Sequence, residues 1–107
     1  MSGYRYGLAV EADIERVLLY TLRKFGHAKY VEYTSLIEEA LHELDGDPRS
    51  GKPRPNIHPD AWVHHITQPG RDARHLFLYE VVDDHAYIYG FFHDAMDLPG
   101  RWRSRRT

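Results

Sequence analysis

The chain predicts an α+β fold with the order β-α-α-β-β-β, a helical hairpin packed on one face of a small, mainly antiparallel sheet. Three observations lead there. Apolar residues recur at helical spacing over 11–46, with a glycine at each helix end. Over 61–93 they alternate or run continuously between turn residues, which is the pattern of strands. Neither half stands alone, because the first has no sheet to cover and the second has no helices to cover it. One domain, 1–107, follows from the length of 107 residues.

Taken in order, Tyr4, Tyr6, Leu8 and Val10 alternate and predict a first strand over 4–10. Ile14, Val17, Leu18, Leu22 and Phe25 then switch to one helical face over 11–25, and Gly26 supplies the C-cap. Tyr30, Tyr33, Ile37, Leu41 and Leu44 repeat the pattern over 27–46, closed by Gly46. Four prolines make 47–60 (DPRSGKPRPNIHPD) a loop without regular structure. A short strand is expected at 61–66, a turn at Pro69-Gly70, the central strand at 74–82, a tight connection at Asp83-Asp84, and an antiparallel return over 86–93. On the central strand, Phe77, Tyr79 and Val81 should face the helices, with Leu76, Leu78 and Glu80 on the other side.

Composition excludes several classes. The chain is 42% hydrophobic and 28% charged, ordinary for a soluble globule. With no cysteine there is no disulfide framework and no thiolate chemistry. No apolar run approaches membrane-spanning length and MSGYRYG lacks a signal-peptide core, so the expectation is a cytoplasmic protein without a membrane partner. A net charge of −2 argues against a dedicated nucleic-acid binder. Charge is uneven, however: residues 101–107 carry Arg101, Arg103, Arg105 and Arg106 with no acid, a basic tail.

The histidines do not assemble a metal set. No His pair sits at helical ligand spacing, and His64 and His65 point to opposite sheet faces. His75, His93 and Asp94 could approach one another across paired strands but make an incomplete set, so no metal and no cofactor are expected. The stretch FFHDAMDLPGRW (91–102) reads instead as a strand end capped by His93, a short helical turn capped by Asp94 or Asp97, and a tail that meets another protein.

Four stretches in order carry a family resemblance: ADIERVLLYTLRKFG (12–26), Tyr33 with Leu44, HHITQPGRDARHLFLYEV (64–81) and FHDAMDLPGRW (92–102). Together they resemble the RelE/ParE toxin superfamily of type II toxin–antitoxin systems, closest to the ParE branch. A Ser-Pro often found before the first helix in that family is replaced here by Ala9-Val10-Glu11, so a hydroxyl cap is missing. The resemblance implies a toxin that inhibits DNA gyrase by binding and is neutralised by a cognate antitoxin; the basic tail could add an indirect DNA contact through that target. The alternatives are a RelE-like ribosome-dependent mRNA endonuclease, or an inactive homologue that only binds an antitoxin-like partner.

Alignment through Tyr79 places the positions of the nucleases' catalytic residues on Leu76, Met96 and Trp102, which have no useful proton or charge to offer. No catalytic residue and no ribonuclease activity are therefore expected. A central strand apolar on both faces leaves a patch in need of cover. Leu76, Leu78, Met96, Leu98 and Trp102 are accordingly the expected antitoxin contact, with a folded-back C-terminal tail as the competing cover. Arg74, His93, Arg101 and Arg103 are the candidate target contacts.

Overall fold

The computed structural model describes residues 3–66 and 74–106. Its elements are β1 (Tyr4–Arg5), α1 (Leu8–Phe25), α2 (His27–Gly46), β2 (Lys52–Pro53), β3 (Trp62–His65), β4 (His75–Val82), β5 (His85–His93) and α3 (Leu98–Arg106). The five strands form one sheet in the order β1-β5-β4-β3-β2. β1 runs parallel to β5, and every other pairing is antiparallel. This is the α+β architecture expected, with three departures.

The first strand is shorter than its alternation suggests. Only Tyr4 and Arg5 pair with β5, and the chain turns helical at Leu8 after Gly7. Val10 is buried from the helix, not from a strand, while Leu8 is 82% exposed. The alternation of Tyr4, Tyr6, Leu8 and Val10 thus straddles a strand and a first helical turn. Gly26, at φ 90°, closes α1 and opens α2 in a backbone conformation that glycine adopts without a Cβ penalty.

The proline-rich segment 47–60 is not wholly irregular. Lys52 and Pro53 pair with Val63 and Trp62 as a two-residue edge strand, a position that tolerates a proline. Buried Tyr79 pins this segment to the sheet: its hydroxyl donates to the Pro48 carbonyl at 2.7 Å and accepts from the Gly51 amide at 3.2 Å. Burial pushes the Tyr79 phenol well above its usual range, so it acts as a fixed neutral hydroxyl.

The third departure is α3. The chain after β5 is a helix, not an extended tail, and it lies on the sheet face opposite the hairpin. One core, around Val10, Ile37, Leu44, Phe77, Tyr79, Ile88 and Phe91, joins α1 and α2 to the sheet. A second, made by Ala61, Val63, Leu76, Leu78, Phe92, Leu98 and Trp102, joins α3 to the other face. The two-sided apolar pattern of β4 therefore holds, with Phe77 and Tyr79 under the hairpin and Leu76 and Leu78 under α3. A bulge opposite Leu78 and Tyr79 inserts Tyr89 into β5, turning both Tyr89 and Phe92 toward α3. Asp83 and Asp84, at φ 50° and 65°, make the left-handed pair of a two-residue hairpin, as expected. The expected Pro69-Gly70 turn lies outside the described residues.

Candidate functional site

α3 starts because Asp97 accepts the Gly100 amide at 3.1 Å, an N-cap, with Pro99 in the first turn where its missing N–H costs nothing. His93 marks the end of β5 by accepting the Ala95 amide on Nδ1 at 3.0 Å. Both caps were legible in the sequence. Leu98 and Trp102, four residues apart, then face the sheet together. Trp102 is 1% exposed; the His58 ring stacks on it, Tyr89 meets it edge-on, and the Arg106 guanidinium lies 5.2 Å from its ring centre.

This packing corrects the expected antitoxin contact. Leu76, Leu78, Leu98 and Trp102 do not line an open groove; the chain's own α3 fills it, and all four are buried. Of the five expected residues only Met96, 37% exposed, is presented at the surface. The competing reading, a tail folded over Leu76 and Leu78, is the one observed. Trp102 Nε1 remains without a hydrogen-bond partner inside this core.

The basic tail is also divided. Arg105 bonds both oxygens of Asp13 at 2.9 Å, and Arg106 reaches Asp60 at 3.0 Å and Glu80 at 3.2 Å. These two arginines hold α3 to the rest of the molecule and are engaged away from any phosphate. Arg101 and Arg103 remain exposed, Arg101 lying 5.8 Å from the Phe92 ring centre. Arg106 is exposed as well, but its guanidinium is held by Asp60 and Glu80.

Arg74 and His93 come together at one end of the β4–β5 ladder, where His75 pairs with His93 and the Asp94 amide donates to the Arg74 carbonyl at 2.7 Å. The His75 ring stacks on Phe91, and Tyr33 on α2 hydrogen-bonds its Nδ1 at 2.7 Å. Desolvation first, then the neighbouring His93, lowers the His75 pKa to about 4, leaving it neutral at physiological pH. His93 Nδ1 stands 3.4 Å from an Asp94 oxygen. His75 and His93 do approach as expected, but among the described residues no three His, Cys, Asp or Glu side chains form a metal-holding group.

Two participants were missed from the sequence. Asp13 is fully buried in α1, and its signal was there: it interrupts the apolar face of Val10, Ile14 and Val17, and a buried acid demands a cationic partner. His58, inside the loop 47–60, carried no comparable signal for its stack on Trp102.

The hairpin on one sheet face, the mixed five-stranded sheet and the C-terminal helix can now be set against known proteins. The family described as "ParE toxin of type II toxin-antitoxin system, parDE" matches residues 4–98, nearly the whole chain. The chain belongs to the ParE toxin family. Within the wider RelE/ParE superfamily this places it on the ParE branch. Among solved structures, the chromosomal ParDE toxin–antitoxin system from P. aeruginosa contains a chain of the same fold. The two superpose with a TM-score of 0.67 at 16% identity, covering 87% of this chain and 96% of that one. None of the curated proteins compared with the sequence matches it. No helix among the described residues of this ParE-family chain is long and apolar enough to cross a membrane.

Proposed function

We propose that this ParE-family toxin acts by binding, with DNA gyrase as its target and a cognate antitoxin as its neutralising partner. One observation carries the reading. Two of the three positions that the resemblance assigns to cleavage chemistry, Leu76 on the sheet and Trp102 on α3, are 1% exposed and belong to the same buried core between them. Such side chains cannot touch a substrate. Met96, the third, is exposed but its thioether has no proton or charge to give.

Binding to a DNA-bound enzyme suits the outer side of α3, where Arg101 and Arg103 stand free of the core, and the adjoining sheet end with Arg74 and His93. The antitoxin meets the same region. Met96 belongs to that contact as the chain stands, whereas Leu76, Leu78, Leu98 and Trp102 join it only if α3 is lifted from the sheet. The test is a supercoiling and cleavage assay with purified gyrase, plasmid and the full chain. Accumulated cleaved DNA, relieved by the cognate antitoxin, is the expected result. Unchanged supercoiling at micromolar protein, with no growth defect on expression, would leave the inactive-homologue reading in its place.

A further inference from the structure

Where β1 stops pairing with β5, the sheet edge opens into a cavity of about 300 Å³. Tyr6 and Gly7, in the turn from β1 into α1, line it together with Tyr87 on β5, and Arg5 and Arg105 belong to the same lining. Tyr6 and Tyr87 are each 37% exposed, so both rings are open to a ligand. Tyr6 is held in place by a stack on Tyr4, with ring centres 5.8 Å apart. Burial first, then Tyr4 and Glu11, raise the Tyr6 pKa, which keeps its ring a neutral phenol.

Arg105 is the hub of a cationic cluster that the sequence scatters over three elements. It shares Asp13 with Arg16, which bonds that carboxylate at 3.3 Å and is itself exposed. It shares the Phe92 ring with Arg101, the two guanidinium groups lying 5.1 and 5.8 Å from the ring centre. It shares the cavity with Arg5. Among the described residues no carboxylate pairs with Arg5 or Arg101. Four guanidinium groups thus surround one buried carboxylate. Glu80, the β4 partner of Tyr87, is neutralised by Arg106 at 3.2 Å. The net charge of −2 conceals this division, because Glu32, Glu38, Glu39, Glu43 and Asp45 gather on α2.

Arginines set among open aromatic rings are the chemistry that holds single-stranded nucleic acid. Guanidinium groups take phosphates whatever the sequence, and ring faces stack bases that no complementary strand covers. A duplex keeps its bases inside and offers the cavity nothing. A lone nucleotide would use one end of the cluster, whereas arginines on β1, α1 and α3 suit a run of phosphates. An acidic peptide would engage the arginines and leave the ring-lined cavity without a role. We propose that this face binds single-stranded nucleic acid directly, an unpaired base entering the cavity beside Tyr6 and Tyr87 and the flanking phosphates lying on Arg5, Arg16 and Arg101.

Fluorescence anisotropy of a dye-labelled oligothymidylate of about ten nucleotides, titrated with the full chain, tests it. Saturable binding at low salt that weakens as salt rises is expected. A duplex of the same length and thymidine monophosphate should each bind about tenfold more weakly or less. Arg5→Glu with Arg101→Glu, at two exposed positions, should weaken binding about tenfold or more and flatten the salt dependence, with the melting temperature unchanged. Tyr87→Leu, which removes the ring and keeps an apolar side chain on the strand, should weaken binding about fivefold and leave the salt slope as it was. No change in anisotropy overturns the proposal, as does binding indifferent to the paired reversal. A Tyr87→Leu chain that binds like the parent, or a duplex or monophosphate that binds as tightly as the strand, overturns the seating of an unpaired base in the cavity. Equal displacement of the strand by polyglutamate would assign the patch to an acidic protein and overturn it too. Gyrase is absent from this assay, so its outcome and that of the supercoiling assay stand or fall separately.

Discussion

Asp13 and Arg105, 92 residues apart in sequence, meet at the stretch of β5 that β1 does not reach. β1 pairs only with Ala86 and Tyr87. Beyond it, Asp13 accepts the Phe91 amide at 3.2 Å while Arg105 donates to the Tyr89 carbonyl at 3.0 Å. Joined to each other by two bonds, the side chains stand in for a missing strand. They satisfy edge groups that would otherwise be buried unpaired, and they tie α1 to α3.

That role predicts a large cost for removing the acid. Asp13 is 0% exposed, so Asp13→Ala leaves Arg105 and the Phe91 amide without their partner. Unfolding free energy in urea should fall by about 3–5 kcal/mol. A loss under about 1 kcal/mol would mean that water replaces the carboxylate at little cost.

Trp102→Ala should destabilise the fold itself, because the indole sits inside the second core, 1% exposed. Truncating a buried Trp costs about 3–5 kcal/mol. Thermal melting of the variant should show it. A melt identical to that of the parent would mean α3 contributes no stability and is free to leave the sheet.

The helices of the hairpin, the central β4–β5 ladder and its Asp83-Asp84 connection were legible in the sequence because each has a strong local pattern. α3 was not, for a physical reason: its nine residues include four arginines, a proline, a glycine and a serine around only two buried anchors, Leu98 and Trp102. Its stability comes from Leu76, Leu78, Asp13, Asp60 and Glu80, all distant in sequence. The same is true of β2, where pairing with β3 overrides a proline-rich composition. Without α3 in place, the exposure of Leu76, Leu78, Leu98 and Trp102 was inverted, whereas that of Met96, Arg101 and Arg103 was not.

Stability should decline on mild acidification. His75 has its pKa lowered from 6.5 to about 4, mainly by desolvation, and burial lowers His65 as well. A His of lowered folded pKa takes up its proton more readily when unfolded. Its contribution is therefore present above pH 6.5 and lost as pH falls toward 4. His75 is only half-buried, so solvent screening moderates the effect. Denaturation curves across that window should show the slope, and His75→Phe should reduce it. A proton titration of His75 near its ordinary value by NMR would remove the explanation.

No ribonuclease activity is expected. Primer extension on messenger from translating ribosomes incubated with the chain should reveal no new ends. Codon-specific cuts lost in Arg74→Ala would overturn the binding mode of action. They would also turn the Arg74, His75, His93 and Asp94 end of the sheet into the place to look for a base and a phosphate clamp.

The action on gyrase should depend on Arg101 and Arg103 and not merely on a positive tail. Both are exposed on α3, whereas Arg105 and Arg106 are spent on Asp13, Asp60 and Glu80. Reversing the first pair, Arg101→Glu with Arg103→Glu, should leave the melting temperature nearly unchanged, since surface charges away from partners move stability by about 0.5 kcal/mol or less. It should nevertheless weaken gyrase inhibition by about tenfold or more and flatten its dependence on salt, because contacts to phosphate or to an acidic surface release fewer counterions. Deleting 101–107 is the less informative test, as it also removes Trp102 and Arg105 and so the fold of this face. Full inhibition by the doubly reversed chain, with an unaltered salt slope, would move the contact off α3.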